Sequence, residues 1–193
     1  KLRRLISNEP RLAERLEVHA MNAMGERLYE QQFGRPRIAS REVIKRAVTE
    51  AAAGQKFGLN FLLTEWEELV DAWQLDSWEA YRDVKRLGRK TRLPEQQRAA
   101  LWSIFEAVRI RLKDDGLLTH ASMFGKLASQ LAERKRPPFD FVVVDEAQDV
   151  SVAQLRLLAA MGANRPNGLF FAGDLGQRIF QQPFSWKSLG VDI

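Results

Sequence analysis

The 193-residue chain contains no cysteine and only two histidines, His19 and His120, which lie far apart in the sequence. The absence of cysteine excludes disulfides and thiolate-bound metals, and two distant histidines argue against a zinc site. No stretch approaches the roughly 18 consecutive apolar residues that a membrane-spanning helix requires. The amino-terminal residues "KLRRLISNEP" also lack the apolar segment of a signal peptide. We therefore expect a cytoplasmic protein with no membrane partner.

Positive charge is in excess, and it is unevenly distributed. The formal net charge is +5, but the residues from Pro137 onward contain four basic and six acidic side chains, so residues 1–136 carry 26 − 19 = +7. The stretch "KRLGRKTRL" concentrates Lys85, Arg86, Arg89 and Lys90. Contact with the phosphates of DNA is one interpretation of this stretch. A solvated face or loop is the other, and the sequence leaves both open.

Residues 1 to about 136 show apolar side chains at helical spacing, which predicts a mainly helical segment. Gly25 predicts a break or bend within the first helical stretch. Capping residues predict where three further helices begin: Ser40, Thr64 with Glu67, and Asp76 with Glu79.

The pattern changes after Pro138. "FDFVVVD" is a short apolar run rich in valine, typical of a strand buried on both faces. "SVAQLRLLAAMG" follows as a helix that begins with a capping box formed by Ser151 and Gln154. "GLFFAGD" is a second buried strand, so the segment predicts a β-α-β unit with parallel strands.

Carboxylates follow both predicted strands. Asp145 and Glu146 end the first strand and Asp174 ends the second. If the strands are neighbours, these acids converge on one crevice at the edge where open parallel sheets bind their ligands. Such oxygen ligands suit Mg²⁺, and the arrangement favours nucleotide hydrolysis. Asp149 is better explained as a cap of the following helix than as part of the site.

Two motifs carry a resemblance to a known family. "VVVDEAQD" resembles the Walker B motif of superfamily 1 DNA helicases of the UvrD/Rep type, and "AGDLGQRIF" resembles the next motif of that family. The resemblance is specific over about residues 94–180. Residues 1–93 resemble, by position alone, the helical insertion that family members carry before Walker B.

The resemblance implies roles in ATP hydrolysis for five residues. Asp145 would hold Mg²⁺, and Glu146 would orient and deprotonate the attacking water. Gln177 would contact the γ-phosphate of ATP. Gln148 and Asp174 would couple the nucleotide state to the DNA site.

Two aromatic residues extend the resemblance toward single-stranded DNA. Phe180 matches the family position that stacks on a base, a contact that is independent of sequence. After Phe180 the motif departs from the family pattern, because "QQPFSWKSLGVDI" intervenes. Trp186 is either a second stacking residue or a packing residue, and the sequence leaves this open.

The resemblance predicts an α/β fold with two parts. Residues 1–93 would form a helical accessory subdomain, and residues 94–193 would form part of a RecA-like ATPase core. The sequence contains no phosphate-binding GxxxxGK[ST] loop. We therefore expect the chain to be inactive alone and to work with the remaining domains of a longer helicase.

Two other functions are compatible with the sequence. One is a non-catalytic relative that binds DNA or a protein partner. The other is an unrelated metal-dependent phosphohydrolase that uses the acids at the strand ends. A GxxxxGK[ST] loop in the upstream gene sequence would favour the helicase over both.

Overall fold

The computed structural model describes residues 10–84, 93–134, 136–162 and 166–174, and it is mostly helical there. None of the helices in these ranges has both the length and the apolar character needed to cross a bilayer. In chain order the elements are α1 (Pro10–Arg15), α2 (Met21–Phe33), α3 (Arg41–Ala51), α4 (Leu59–Glu65), the π-helix π1 (Trp66–Asp71), α5 (Trp78–Asp83), α6 (Glu95–Asp114), α7 (His120–Ala132), β1 (Val142–Val144), a 3₁₀ helix (Ala147–Asp149), α8 (Val152–Gly162) and β2 (Leu169–Phe171).

The two strands form a small parallel sheet, as the sequence predicted. Val142 pairs with Leu169 and Val144 with Phe171, and α8 connects the strands. A hydrogen bond of 2.8 Å from the Ala172 amide to the Val144 carbonyl continues the ladder past the strand ends. The β-α-β unit is confirmed. The described residues are therefore mostly helical with a small two-stranded parallel sheet, and the RecA-like core stays a prediction.

One face of this sheet is exposed within the described residues. Val144 is buried, whereas Phe141, Val143 and Phe170 are 67%, 71% and 63% exposed. The prediction of a strand buried on both faces is therefore wrong for the described part of the chain. The physical reason is that β1 and β2 pack their other face against helices, while this face is left to solvent.

Two apolar cores organise the described residues. The sheet core joins α2, α7, α8 and β1 around residues such as Leu28, Phe124 and Leu155. The helical core joins α3, α4, π1, α5 and α6 around residues such as Leu69 and Phe105. The long helix α6 thus packs with the helices that precede it. The predicted domain division at residue 93 is not tested by this packing and stays a prediction.

Helix capping follows the sequence at one of the three predicted sites. The Ser40 hydroxyl accepts a hydrogen bond of 3.3 Å from the Val43 amide and begins α3 as expected. Thr64 caps nothing, because α4 continues directly into π1. Ser77 rather than Asp76 caps α5, and its hydroxyl accepts from the Ala80 amide at 3.2 Å.

Gly25 lies inside α2 and does not break it, contrary to the prediction. The residue is buried against α7, and a Cβ atom added there would lie 2.4 Å from Cε1 of Phe124 and 2.8 Å from Cε of Met123. Glycine is therefore present because the two helices approach each other closely. The structure requires glycine at position 25, but the reason is the close packing of α2 against α7 rather than a bend in α2.

Replacing Gly25 by alanine should destabilise the chain. Overpacking against the buried Phe124 ring costs about 1–3 kcal/mol, and at 2.4 Å we expect this cost to exceed the ~1 kcal/mol that alanine gains in a helix interior. Gly125→Ala is the matched control, because its nearest neighbour would lie at 3.7 Å and only the helix gain applies. Urea unfolding should show opposite signs for the two variants. Equal stabilisation by both would contradict the close approach of α2 and α7.

Candidate functional site

The acidic residues at the ends of β1 and β2 lie on one edge of the sheet. Asp145 and Glu146 follow β1, and Gly173 and Asp174 follow β2 closely. Because the strands are parallel and paired, their carboxyl ends meet at this edge. Asp145 and Glu146 are exposed to solvent there. We name residues Asp145–Gln148 the acid loop, and its two carboxylates are thus accessible to a ligand.

Glu146 adopts an unusual backbone conformation at the turn out of β1. Its φ and ψ angles are 52° and 45°, in the left-handed region that non-glycine residues rarely occupy. The Glu146 amide donates a hydrogen bond of 3.0 Å to Oδ1 of Asp145, which supports the turn. Strained residues of this kind cluster at functional sites. The turn presents two consecutive carboxylates at the sheet edge.

Gln148 joins the ends of the two strands. Its side chain is buried, with 6% of the residue exposed. Its Nε2 donates a hydrogen bond to Oε2 of Glu146, and its Oε1 accepts one of 3.1 Å from the Asp174 amide. A buried amide that uses both its donor and its acceptor in this way fixes the geometry of its partners. The position of Glu146 is therefore tied to the end of β2.

Gly173 is a site residue that the sequence analysis did not single out. The Ala147 amide donates a hydrogen bond of 2.9 Å to the Ala172 carbonyl, which brings the acid loop against the end of β2. A Cβ atom on Gly173 would lie 2.3 Å from Oε1 of Gln148 and 2.7 Å from the Ala147 nitrogen. The acid loop can therefore lie this close to position 173 only because the residue there is glycine. The sequence feature that could have indicated Gly173 is a glycine directly before an aspartate at the end of a predicted strand.

Asp145, Glu146 and Asp174 share this edge of the sheet but do not form a three-acid group placed to hold a metal ion. Among residues 10–84, 93–134, 136–162 and 166–174, no group of three or more His, Asp or Glu side chains is placed to hold a metal ion. The Gln148 amide joins Glu146 to the end of β2. Mg²⁺ commonly binds through one or two carboxylates together with water and phosphate oxygens. The exposed carboxylate of Asp145 fits that mode, and Mg²⁺ binding at Asp145 stays a prediction.

The helix that follows the acid loop has its own cap. Ser151 and Gln154 form the predicted capping box: the Ser151 amide donates to Oε1 of Gln154 at 2.9 Å, and the Gln154 amide donates to the Ser151 hydroxyl at 3.2 Å. Asp149 lies earlier, in the 3₁₀ helix, and is exposed. Its predicted role as the cap of α8 is therefore wrong, because Ser151 occupies that position.

Seven predicted site residues lie outside the described residues, and their roles stay predictions. They comprise the proposed γ-phosphate contact, the two aromatic residues and the basic stretch: Gln177, Phe180, Trp186, Lys85, Arg86, Arg89 and Lys90. The structure thus brings together Asp145, Glu146, Gln148 and Asp174.

Two curated proteins share a short region with this chain. Both are subunits of an ATP-dependent helicase/nuclease, from Lacticaseibacillus casei (strain BL23) and Lacticaseibacillus paracasei (strain ATCC 334), and each is 44% identical over 50 residues. The matched region makes up 26% of this chain but 4% of each relative, so the chain corresponds to a small part of their length. No solved structure matches the chain significantly.

The match to a family extends much further along the chain. Residues 13–185 match the UvrD/REP helicase N-terminal domain. This range contains both cores, the acid loop and the end of β2. With more than half of its length covered, the chain belongs to the UvrD/REP helicase family.

Proposed function

We propose that this chain is a central part of an ATP-dependent DNA helicase, which couples ATP hydrolysis to movement along single-stranded DNA and to duplex unwinding. The observation that carries the proposal is the acid loop joined through Gln148 to the end of β2. It lies within a chain of the UvrD/REP helicase family, at the sheet edge where α/β proteins bind ligands.

The two carboxylates of the acid loop would have different roles in ATP hydrolysis. Asp145 would hold Mg²⁺, which when bound with ATP helps neutralise the charge that develops on the transferred phosphoryl group. Glu146, fixed by Gln148, would accept a proton from the attacking water and orient it toward the phosphate.

Gln148 is also placed to couple the ATP site to the DNA-binding residues. Its amide bonds Glu146 on one side and the Asp174 backbone on the other. The chain beyond Asp174 leads to Gln177, the proposed γ-phosphate contact, and to Phe180, the proposed base-stacking residue. A change at the phosphate would therefore reach the DNA-binding residues through a short covalent path.

The exposed sheet face supports a larger RecA-like core. Parallel sheets are normally covered on both faces, and a two-stranded sheet is rarely stable by itself. Phe141, Val143 and Phe170 present an apolar surface that other segments of a complete core would cover. A phosphate-binding loop and the remaining helicase domains would come from the same longer polypeptide, and DNA would be its partner.

The proposal is tested by comparing ATP turnover in two preparations. We expect the complete polypeptide to hydrolyse ATP with Mg²⁺ and to be stimulated by single-stranded DNA. The 193-residue chain should show no turnover, because its sequence contains no GxxxxGK[ST] loop. A complete polypeptide without DNA-stimulated turnover would contradict the proposed function. Mg²⁺-dependent turnover by the 193-residue chain would contradict its dependence on a phosphate-binding loop elsewhere.

A further inference from the structure

The chain crosses between the sheet core and the helical core at two adjacent segments. Residues 34–40 lead from α2 to α3, and residues 115–119 lead from α6 to α7. The segments pair at Ile38 and Leu118, where the Ala39 amide donates to the Leu118 carbonyl at 2.8 Å and the Leu118 amide donates to the Arg37 carbonyl at 2.9 Å. Two short, paired crossings between packed units have the form of a hinge, which needs only a few residues to move.

Polar contacts at the end of the second crossing, where Thr119 caps α7, and farther along on α8 also join the two cores. Asp71 ends π1, and its Oδ1 accepts hydrogen bonds from the Thr119 hydroxyl at 2.6 Å and from Nε2 of Gln74 at 3.0 Å. The Trp73 carbonyl accepts a hydrogen bond of 3.0 Å from the Arg156 guanidinium of α8. We name these contacts of Asp71 and Trp73 with Thr119 and Arg156 the Asp71 junction.

The helical-core side of this junction is built from unfavourable elements. π1 is a rare helix type that often marks functional positions. Gln74 has a φ of 53°, in the left-handed region. The Asp71 residue keeps some accessible surface, but its carboxylate is enclosed, and this desolvation raises its pKa from 3.8 to about 6. Such elements persist only while surrounding contacts hold them, so the junction is suited to release.

We propose that the helical core moves as a unit about the paired crossings, and that the Asp71 junction is the latch that holds it against the sheet core. Arg156 lies on α8, which begins directly after the acid loop and its cap. A shift of α8 would therefore move the Arg156 donor away from Trp73 and loosen the helical core. The latch itself depends only on the contacts between the cores. Its use in coupling ATP to DNA rests on the proposed function.

The equilibrium between the latched and released states should depend on pH through Asp71. Desolvation favours the neutral form of Asp71 in the latched state, while Thr119, Gln74 and Arg109 favour the charged form and Glu67 opposes it. The latched state therefore binds a proton more tightly than a released state in which Asp71 meets water. Release becomes more favourable as the pH rises from 3.8 to about 6 and changes little above that.

Because the chain has no cysteine, labels can be introduced at two chosen positions. Glu106→Cys on α6 and Lys126→Cys on α7 place spin labels at exposed residues of the two cores, and pulsed electron resonance then gives their distance distribution. The 193-residue chain suffices, so the outcome is independent of whether the protein hydrolyses ATP.

The variants should move the distribution in opposite directions. Asp71→Ala and Arg156→Met remove latch contacts and should shift the equilibrium toward a second, separate distance by roughly tenfold. Asp71→Asn keeps the acceptor without the charge and should give a single latched distance on both sides of pH 6. Asp76→Asn, an exposed control, should match the parent.

One unchanged distance in both Asp71→Ala and Arg156→Met would overturn the latch. If Asp71→Ala fails to fold, as judged by its circular dichroism, Arg156→Met and Asp71→Asn decide the matter. A shift shared by Asp76→Asn would also overturn it, because that residue lies outside the junction.

Discussion

Replacing Glu146 by glutamine should lower the ATP turnover of the complete protein by roughly 10²- to 10⁴-fold, the usual contribution of a general base. Glutamine has nearly the same shape but cannot accept the proton of the attacking water at neutral pH. Nucleotide binding should be retained, because the carboxylate of Asp145, the proposed Mg²⁺ ligand, is unchanged. The measurements are steady-state hydrolysis and the binding of a fluorescent ATP analogue.

The structure explains why this variant should remain folded. Gln148 donates through Nε2 to Oε2 of Glu146, and the amide oxygen of a glutamine at that position can accept the same hydrogen bond. The left-handed backbone at Glu146 makes no demand on the end of the side chain. A loss of turnover would therefore report on chemistry rather than on the loop.

Asp149→Asn is the matched control for Glu146→Gln. Asp149 is exposed in the adjacent 3₁₀ helix, and Ser151 rather than Asp149 caps α8. Removing its charge should leave turnover close to that of the parent. Equal losses in both variants would point to the net charge of the loop, and full activity in Glu146→Gln would exclude Glu146 as the base.

Local sequence patterns predicted the parts of the fold that depend on local interactions. The β-α-β unit follows from two valine- or phenylalanine-rich runs separated by a capped helix, and its parallel pairing is what such a connection allows. Ser40 and the Ser151–Gln154 pair cap helices as their spacing indicated. The placement of Asp145 and Asp174 at one sheet edge follows from the same unit.

Features that depend on distant packing could not be read from the sequence. Gly25 looked like a helix break, but Phe124, almost a hundred residues away, decides its role. Thr64 has the spacing of a cap, but it lies inside a helix that continues from α4 into π1. The acid loop shows the same limit, because the carboxylates could be read from the sequence but the buried Gln148 amide that joins Glu146 to the end of β2 could not.

Replacing Gly173 by alanine should have the largest effect on the acid loop without touching an acidic residue. The new Cβ would meet Oε1 of Gln148 at 2.3 Å and the Ala147 nitrogen at 2.7 Å. The second contact is with backbone and can be relieved only by moving the loop away from β2. This movement would break the bond from the Ala147 amide to the Ala172 carbonyl. We expect a loss of about 2–4 kcal/mol in the free energy of unfolding, from overpacking and lost hydrogen bonds.

A double variant separates the two collisions. Gln148→Ala alone removes the bridge to Asp174 and should destabilise the chain by about 1–3 kcal/mol, because the partners lose a buried hydrogen-bonding group. Combined with Gly173→Ala, it removes the collision with Oε1 but leaves the one with the Ala147 nitrogen, so the two losses should be less than additive. Urea unfolding of the four proteins measures this coupling. A Gly173→Ala variant as stable as the parent would show that the acid loop does not require glycine at position 173. Strict additivity would show that Oε1 of Gln148 takes no part in the collision. Losses that are less than additive would instead establish that the close approach at Gly173 and the Gln148 bridge form one structural unit. Glu146 can be held at the end of the sheet only if they do.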